Sequence, residues 1–205
     1  MKDFSIYSAS LFAAVSLAGA ASAECFGPDD LTRGLSMEYE SGDVTTIRRI
    51  GDGTHLVRED YVSGDPSWAL RAHHGVYFVE EWQIEGEGRA AGSGLSIEFP
   101  IDPALLPVPV PGLNWQGQTT NYFESGGSRP ESTSITFTDG GQLTISDCTY
   151  NIVNAGLVYD WGDEGSLNLR YIYFTEIGTA FLLHSEFDNE TKAPQVPLAL
   201  VRATK

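Results

Sequence analysis

Residues 141–188 read GQLTISDCTYNIVNAGLVYDWGDEGSLNLRYIYFTEIGTAFLLHSEFD, and their pattern decides the fold. Leu157, Tyr159 and Trp161 alternate with polar or small residues, the period of a strand with one covered face. Leu167, Leu169, Tyr171 and Tyr173 share one face of the next segment. Ile172 and Phe174 occupy its other face, which predicts a central strand covered on both sides. Phe181, Leu183 and Phe187 make a further face. Gly162-Asp163-Glu164-Gly165 and Glu176-Ile177-Gly178 supply the turns. Asn154-Ala155-Gly156 predicts a bulge or bend inside the long second strand. The stretch therefore reads as three or four long antiparallel strands, and it holds Cys148.

Working outward, short alternating segments recur at 31–40, 44–50, 54–62, 68–73, 76–84, 95–99, 114–124 and 130–138. Asp52-Gly53 and Asp139-Gly140-Gly141 read as hairpin turns between them. Residues 196–201 read as a closing strand, and Pro197, which lacks a ladder donor, places it at an edge. No segment shows a helical period, and no repeat or linker divides the chain. The expected fold is all-β: a single antiparallel barrel or strongly curved sheet of about ten to twelve strands over residues 24–205.

The start of the 205-residue chain reads differently. Lys2 precedes an apolar run at 11–18, and Ala21-Ser22-Ala23 is a small-x-small pattern before Glu24. This predicts a signal peptide over residues 1–23 and an exported protein, periplasmic or extracellular. The run is too short for the ~20 residues of a membrane span, and no other window supplies one. A lipid-modified cysteine would have to be the first mature residue; Glu24 before Cys25 breaks that pattern. The net charge of −16 opposes phosphate backbones and anionic lipid, so nucleic acid is excluded as a partner. The two cysteines, in an oxidising compartment, predict a Cys25–Cys148 disulfide, with an intermolecular bridge or two free thiols as the alternatives.

Residues 100–111 are of another kind. They hold Pro100, Pro103, Pro107, Pro109 and Pro111, with Ile101, Ala104, Leu105, Leu106, Val108 and Val110 between them. Such a segment cannot be a ladder strand and should cross the molecule extended. Three readings are open: a strap over a barrel end or sheet edge, a lid or rim of an apolar pocket, and a docking segment. Each requires the apolar side chains to be buried or covered.

Candidate chemistry is sparse. His55, His73, His74 and His184 show no metal-ligand spacing, and the adjacent pair points to opposite faces of a strand. Asp160-Trp161-Gly162-Asp163-Glu164 has oxygen ligands on a glycine turn but lacks the calcium-loop spacing, and reads as a solvated tip. Glu80 and Glu81 alternate faces, and Glu85 and Glu87 sit among glycines, so neither pair reads as an acid–base couple. Gly92-Ser93-Gly94 does not complete a nucleophile elbow. No metal or cofactor is implied. Asn189-Glu190-Thr191 matches a glycosylation sequon.

The run Trp115-x-Gly117, Ile135-x-Phe137, Leu143-x-Ile145, Cys148-x-Tyr150 and Tyr171-x-Tyr173-Phe174-x-x-x-Gly178 resembles small periplasmic β-rich proteins of unknown function from Gram-negative bacteria. Some of these are open barrels similar to the lipoprotein-carrier proteins. The resemblance covers residues 113–187, implies an open barrel, and brings no catalytic residues. The leading functional expectation is a non-enzymatic envelope protein that binds an apolar or amphipathic, lipid-like small molecule, or another envelope protein, on a concave face. Tyr159, Trp161, Tyr171 and Tyr173 are expected to line it, with Leu105, Leu106 and Val108 at the rim. Two alternatives stand: a structural or interaction module in which the same aromatics form a filled core, and an exported hydrolase.

Overall fold

The computed structural model describes residues 25–51, 53–188 and 190–204. The expected signal peptide, Asp52 of the first hairpin turn and Asn189 of the sequon lie outside the described residues. Fourteen strands form one antiparallel sheet: β1 (Leu35–Tyr39), β2 (Val44–Gly51), β3 (Thr54–Asp60), β4 (Trp68–His73), β5 (Tyr77–Glu85), β6 (Gly88–Arg89), β7 (Leu95–Glu98), β8 (Trp115–Phe123), β9 (Ser128–Ile145), β10 (Cys148–Asp160), β11 (Ser166–Phe174), β12 (Thr179–Phe187), β13 (Glu190–Thr191) and β14 (Pro197–Arg202). β6 and β13 have only two residues each, so the longer strands match the sequence expectation. Helical structure among the described residues is confined to 3-10 turns at Pro28–Thr32, Pro103–Leu105 and Gly162–Glu164. The first corrects the strand expected from residue 31: Pro28 starts a tight turn, and Leu31 is buried within it.

The strands follow one another as a meander, in the order β13-β12-β11-β10-β9-β8-β7-β5-β4-β3-β2-β1-β14, with β6 paired only to β5. The sheet is strongly curved but its ladder does not close into a barrel. Pro197 lies at an edge, in β14. The chain between β13 and β14 spans the seam. Lys192 N donates to Ser185 O (3.1 Å) and Gln195 N to Leu183 O (2.7 Å), while Glu40 N donates to Val196 O (2.9 Å). Across the same seam Tyr39 Oη donates to the Leu182 carbonyl at 2.9 Å.

Two turn expectations are corrected. Asp139-Gly140-Gly141 is not a hairpin turn; it lies inside β9. The register passes from Asn151–Gln142 to Val153–Asp139, so Gly140 and Gly141 oppose Ile152 alone, a bulge. A side chain at Gly140 would meet Ile152 Cγ1 at 2.8 Å. The hairpin is turned instead by Ser146 and Asp147, both left-handed (φ 50° and 63°) between the paired Ile145 and Cys148. The bend expected at Asn154-Ala155-Gly156 is absent, because pairing is unbroken there on both sides of β10.

Cys25 and Cys148 form the expected disulfide. It ties the chain before β1 to the start of β10, two parts that are not neighbours in the ladder. Phe26 N donates to Tyr150 Oη (2.9 Å) beside it, and Ser146 Oγ both donates to Leu200 O (3.1 Å) and accepts from Leu200 N (3.0 Å). β11 is covered on both faces, with Tyr171, Ile172, Tyr173 and Phe174 all buried. Edge-to-face contacts link Phe174 to Tyr150 and to Phe181.

The lower end of the curved sheet is filled. Tyr77 packs edge-on against Phe99 and Phe137, and His55 Nδ1 lies 3.0 Å from Thr179 Oγ1. The Pro-rich segment crosses this end outside the ladder. It is anchored by buried Leu106 and by Tyr77 Oη, which donates to Pro107 O at 2.7 Å. The expectation that its apolar side chains are covered is corrected: Ile101, Leu105, Val108 and Val110 are exposed. With no partner strand to cover it, only the side that meets the sheet is buried.

The β4–β5 turn presses on this filled end. Gly75 has φ +73°, and a Cβ there would stand 2.6 Å from Thr179 Oγ1 and 2.7 Å from Ala180 N. Gly75→Ala is expected to destabilise the protein by about 1–3 kcal/mol. Urea unfolding should show a lower midpoint at unchanged slope.

Candidate ligand-binding site

The upper half of the sheet holds two cavities, and strand alternation explains what lines them. On β9, Arg129, Glu131 and Thr133 are in phase with the buried Ile135 and Phe137, so all five point inward. On β8, Thr119 and Asn121 do the same. Glu81 on β5 lies between Leu70 and Leu95 in the ladder, while its neighbour Glu80 faces out to Arg71 and Arg89. Glu59 on β3 is also turned in and buried.

Two adjoining chambers result. One, of about 190 Å³, is walled by Leu95, Phe123, Tyr159 and Trp161, with Asn121, Arg129 and Glu131 reaching into it. The other, of about 260 Å³, lies between Glu59, Tyr61, Trp68, Tyr171, Phe187 and Lys192. Leu70, Glu81, Leu167 and Leu169 border both, so Glu81 stands at the waist. Together they reach the low end of the volumes of small-molecule sites, about 300–1,000 Å³. A larger surface groove of about 900 Å³ runs beside the start of the Pro-rich segment. It is open, and among the described residues no buried unpartnered polar atom lines it.

The polar groups are unequally satisfied. Glu131 accepts from Trp161 Nε1 (2.6 Å), Asn121 Nδ2 (2.9 Å), Thr119 Oγ1 (2.8 Å) and Thr133 Oγ1 (3.0 Å). Such a carboxyl is locked in place. Glu59 accepts from Tyr61 Oη at 2.6 Å, and its burial raises its pKa. Glu81 has no hydrogen-bond donor among the described residues. Burial first, and then the charges of Glu59 and Glu131, push its pKa up to about 7. Burial, and next Glu131, push the Tyr159 hydroxyl well up, and burial with Glu59 does the same to Tyr171. Arg129 stacks its guanidinium on Trp161, 4.1 Å from the ring centroid, and reaches Glu164 at 3.5 Å. Three buried polar atoms around the smaller chamber have no partner among the described residues: Asn121 Oδ1, Arg129 Nε and Tyr159 Oη.

The expected lining residues divide. Tyr159 and Trp161 border the first chamber and Tyr171 the second. Tyr173 is buried but borders neither. Leu105, Leu106 and Val108 form no rim here, since their segment crosses the filled lower end. The Asp160–Glu164 turn leaves Asp163 and Glu164 in solvent while sending Trp161 inward. His55 belongs to the lower core, His73 and His74 flank the β4–β5 turn, and His184, opposite Arg170 in the ladder and outside both chambers, is buried with its Nδ1 unpartnered among the described residues. No group of three metal-ligating side chains occurs among the described residues. Glu59, Glu81, Asn121, Arg129 and Glu131 are the residues that the sequence reading missed. The signal was present for Glu59, Arg129 and Glu131, which are in phase with buried apolar residues of their own strands, whereas at Glu81 a bulge beside Val79 breaks the alternation.

The arrangement suits binding: an apolar and aromatic wall, a few fixed polar groups and unspent hydrogen-bonding capacity. Comparison with known protein families, curated proteins and solved structures finds no match to this chain.

Proposed function

We propose that this is an exported, non-enzymatic binding protein that takes a small amphipathic molecule into the two-chambered cup. The observation that carries the reading is the set of buried, unpartnered polar atoms Asn121 Oδ1, Arg129 Nε and Tyr159 Oη on a largely apolar and aromatic wall that also carries Glu81 and Glu131. An unpaired buried polar group costs about 1–3 kcal/mol, which a bound partner recovers. The leader-like start and the Cys25–Cys148 disulfide support export, and no described helix is long and apolar enough to cross a membrane.

Hexanol, a neutral amphiphile that fits the chambers, tests the reading. Titration by isothermal calorimetry should show saturable binding with one site. Leu169→Trp, which pushes an indole into the wall shared by both chambers, should abolish it while thermal unfolding stays cooperative. Absence of hexanol binding to the unmodified protein, or full binding by L169W, would count against the cup.

A second reading, a protein-interaction module, draws on the exposed apolar side chains of the Pro-rich segment, Ile101, Leu105, Val108 and Val110. A photo-crosslinker at Leu105 that captured no envelope protein in intact cells would remove it.

A further inference from the structure

We infer that the cup selects a ligand with a protonated nitrogen, a small organic ammonium, over a neutral or carboxylate ligand of the same length. This rests on the binding reading and names the chemistry of its polar end. The unpartnered buried atoms of the smaller chamber are one acceptor, Asn121 Oδ1, one donor, Arg129 Nε, and the Tyr159 hydroxyl, and the Glu81 carboxyl at the waist tips the set towards acceptors. Asn121 is buried, 1% exposed, and its Nδ2 donates to Glu131. Glu131 already takes three other donors, so the amide orientation is fixed and Oδ1 faces away with no partner. The Glu81 carboxyl, at the waist, also lacks a donor, and Glu59 has only Tyr61. The Tyr159 hydroxyl serves as donor or acceptor. An ammonium has three donors and no acceptor, and so matches the acceptors of Asn121, Glu81 and Tyr159.

The charges agree. Three inward carboxyls, Glu59, Glu81 and Glu131, face two cations, and both cations are engaged. Arg129 lies on the Trp161 ring beside Glu164, and Lys192 lies 5.5 Å from the Tyr61 ring centroid and 3.7 Å from Asp65. A ligand carboxylate would meet like charge at the waist, with Arg129 Nε–H and the Tyr159 hydroxyl as the free donors to receive it. The seat of Arg129 on Trp161 shows the aromatic wall already holding a cation. The net charge of −16 draws cations towards the molecule.

The test compares hexylamine, hexanol and hexanoate by calorimetry on the mature disulfide-bonded protein at pH 8. Hexylamine should bind roughly tenfold or more tighter than hexanol, the worth of one charged hydrogen bond, and hexanoate should bind weakest. In Glu81→Gln the ratio of amine to alcohol affinity should fall to about one. Should that variant fail to fold, Asn121→Leu is expected to reduce the same ratio. Hexanol binding with no preference for the amine, or tighter binding of hexanoate, would overturn the inference and leave the cup standing. No binding of any of the three would overturn both.

Discussion

The C25S/C148S variant is expected to be less stable than the disulfide-bonded protein by about 4–5 kcal/mol. The bridge closes 123 residues of chain, and the loss of unfolded-state entropy for a loop of that size has this magnitude. Its place in the fold gives the number a structural meaning. The sheet ladder stops at the seam, and the bridge joins the segment before β1 to β10, well away from β1 in strand order. It works with the Ser146–Leu200 bonds, which hold the β9–β10 turn against β14, and with the Arg202–Asp30 ion pair (3.0 Å), which holds the Pro28–Thr32 turn against the same strand. Urea unfolding under oxidising and reducing conditions measures the difference. A loss below about 1 kcal/mol would show that closure is carried by the seam bonds without the cross-link.

The second large effect is a stability–pH profile composed of opposing slopes. Glu81 is raised from its ordinary 4.5 to about 7. Between those values the folded state holds more protons than the unfolded chain, so stability falls as pH rises through this window. Glu59, raised by burial, contributes in the same sense. His55 is lowered from 6.5 to about 4, by burial and then by His74, Arg49 and His73. Here the unfolded chain holds more protons, and stability is lost as pH falls from 6.5 towards 4. His73 and His74, also lowered by burial, add to that side. Each of the two main groups has an amplitude of up to about 3 kcal/mol. Glu81→Gln should therefore gain stability at pH 8 relative to pH 4.5, and His55→Gln should flatten the acid side. The comparison between two pH values cancels any packing change common to both. An unchanged profile in E81Q would remove Glu81 from the interior in its unpartnered form.

The parts of the fold that depend on period were legible in the sequence. Ile135 and Phe137, or Tyr171 and Phe174, declare their faces by alternation alone, and Pro197 marks an edge because it lacks a donor. Turn chemistry misled where the residues were conformationally permissive. Gly140 and Gly141 suit a hairpin turn and a bulge equally well, and only the pairing with Ile152 distinguishes them. Ser146 and Asp147 adopt left-handed geometry without the glycine that signals it. The site was harder to read because its polar residues come from five strands: Glu59, Glu81, Asn121, Arg129 with Glu131, and Tyr159 are joined only by the ladder. The aromatics Tyr159, Trp161 and Tyr171 were visible because they stand close in sequence. Tyr173, with the same pattern, lies low enough in the sheet to be packed over.

On the proposed reading the upper half of the sheet is a binding cup and the lower half a filled core. Methyl NMR of leucine-labelled protein titrated with hexylamine and with hexanol tests it most directly. The methyls of Leu70, Leu167 and Leu169 should shift with saturation, while those of Leu105, Leu113 and Leu198 stay in place. Shifts confined to Leu105 and Leu113, or no shift at any leucine, would contradict the account.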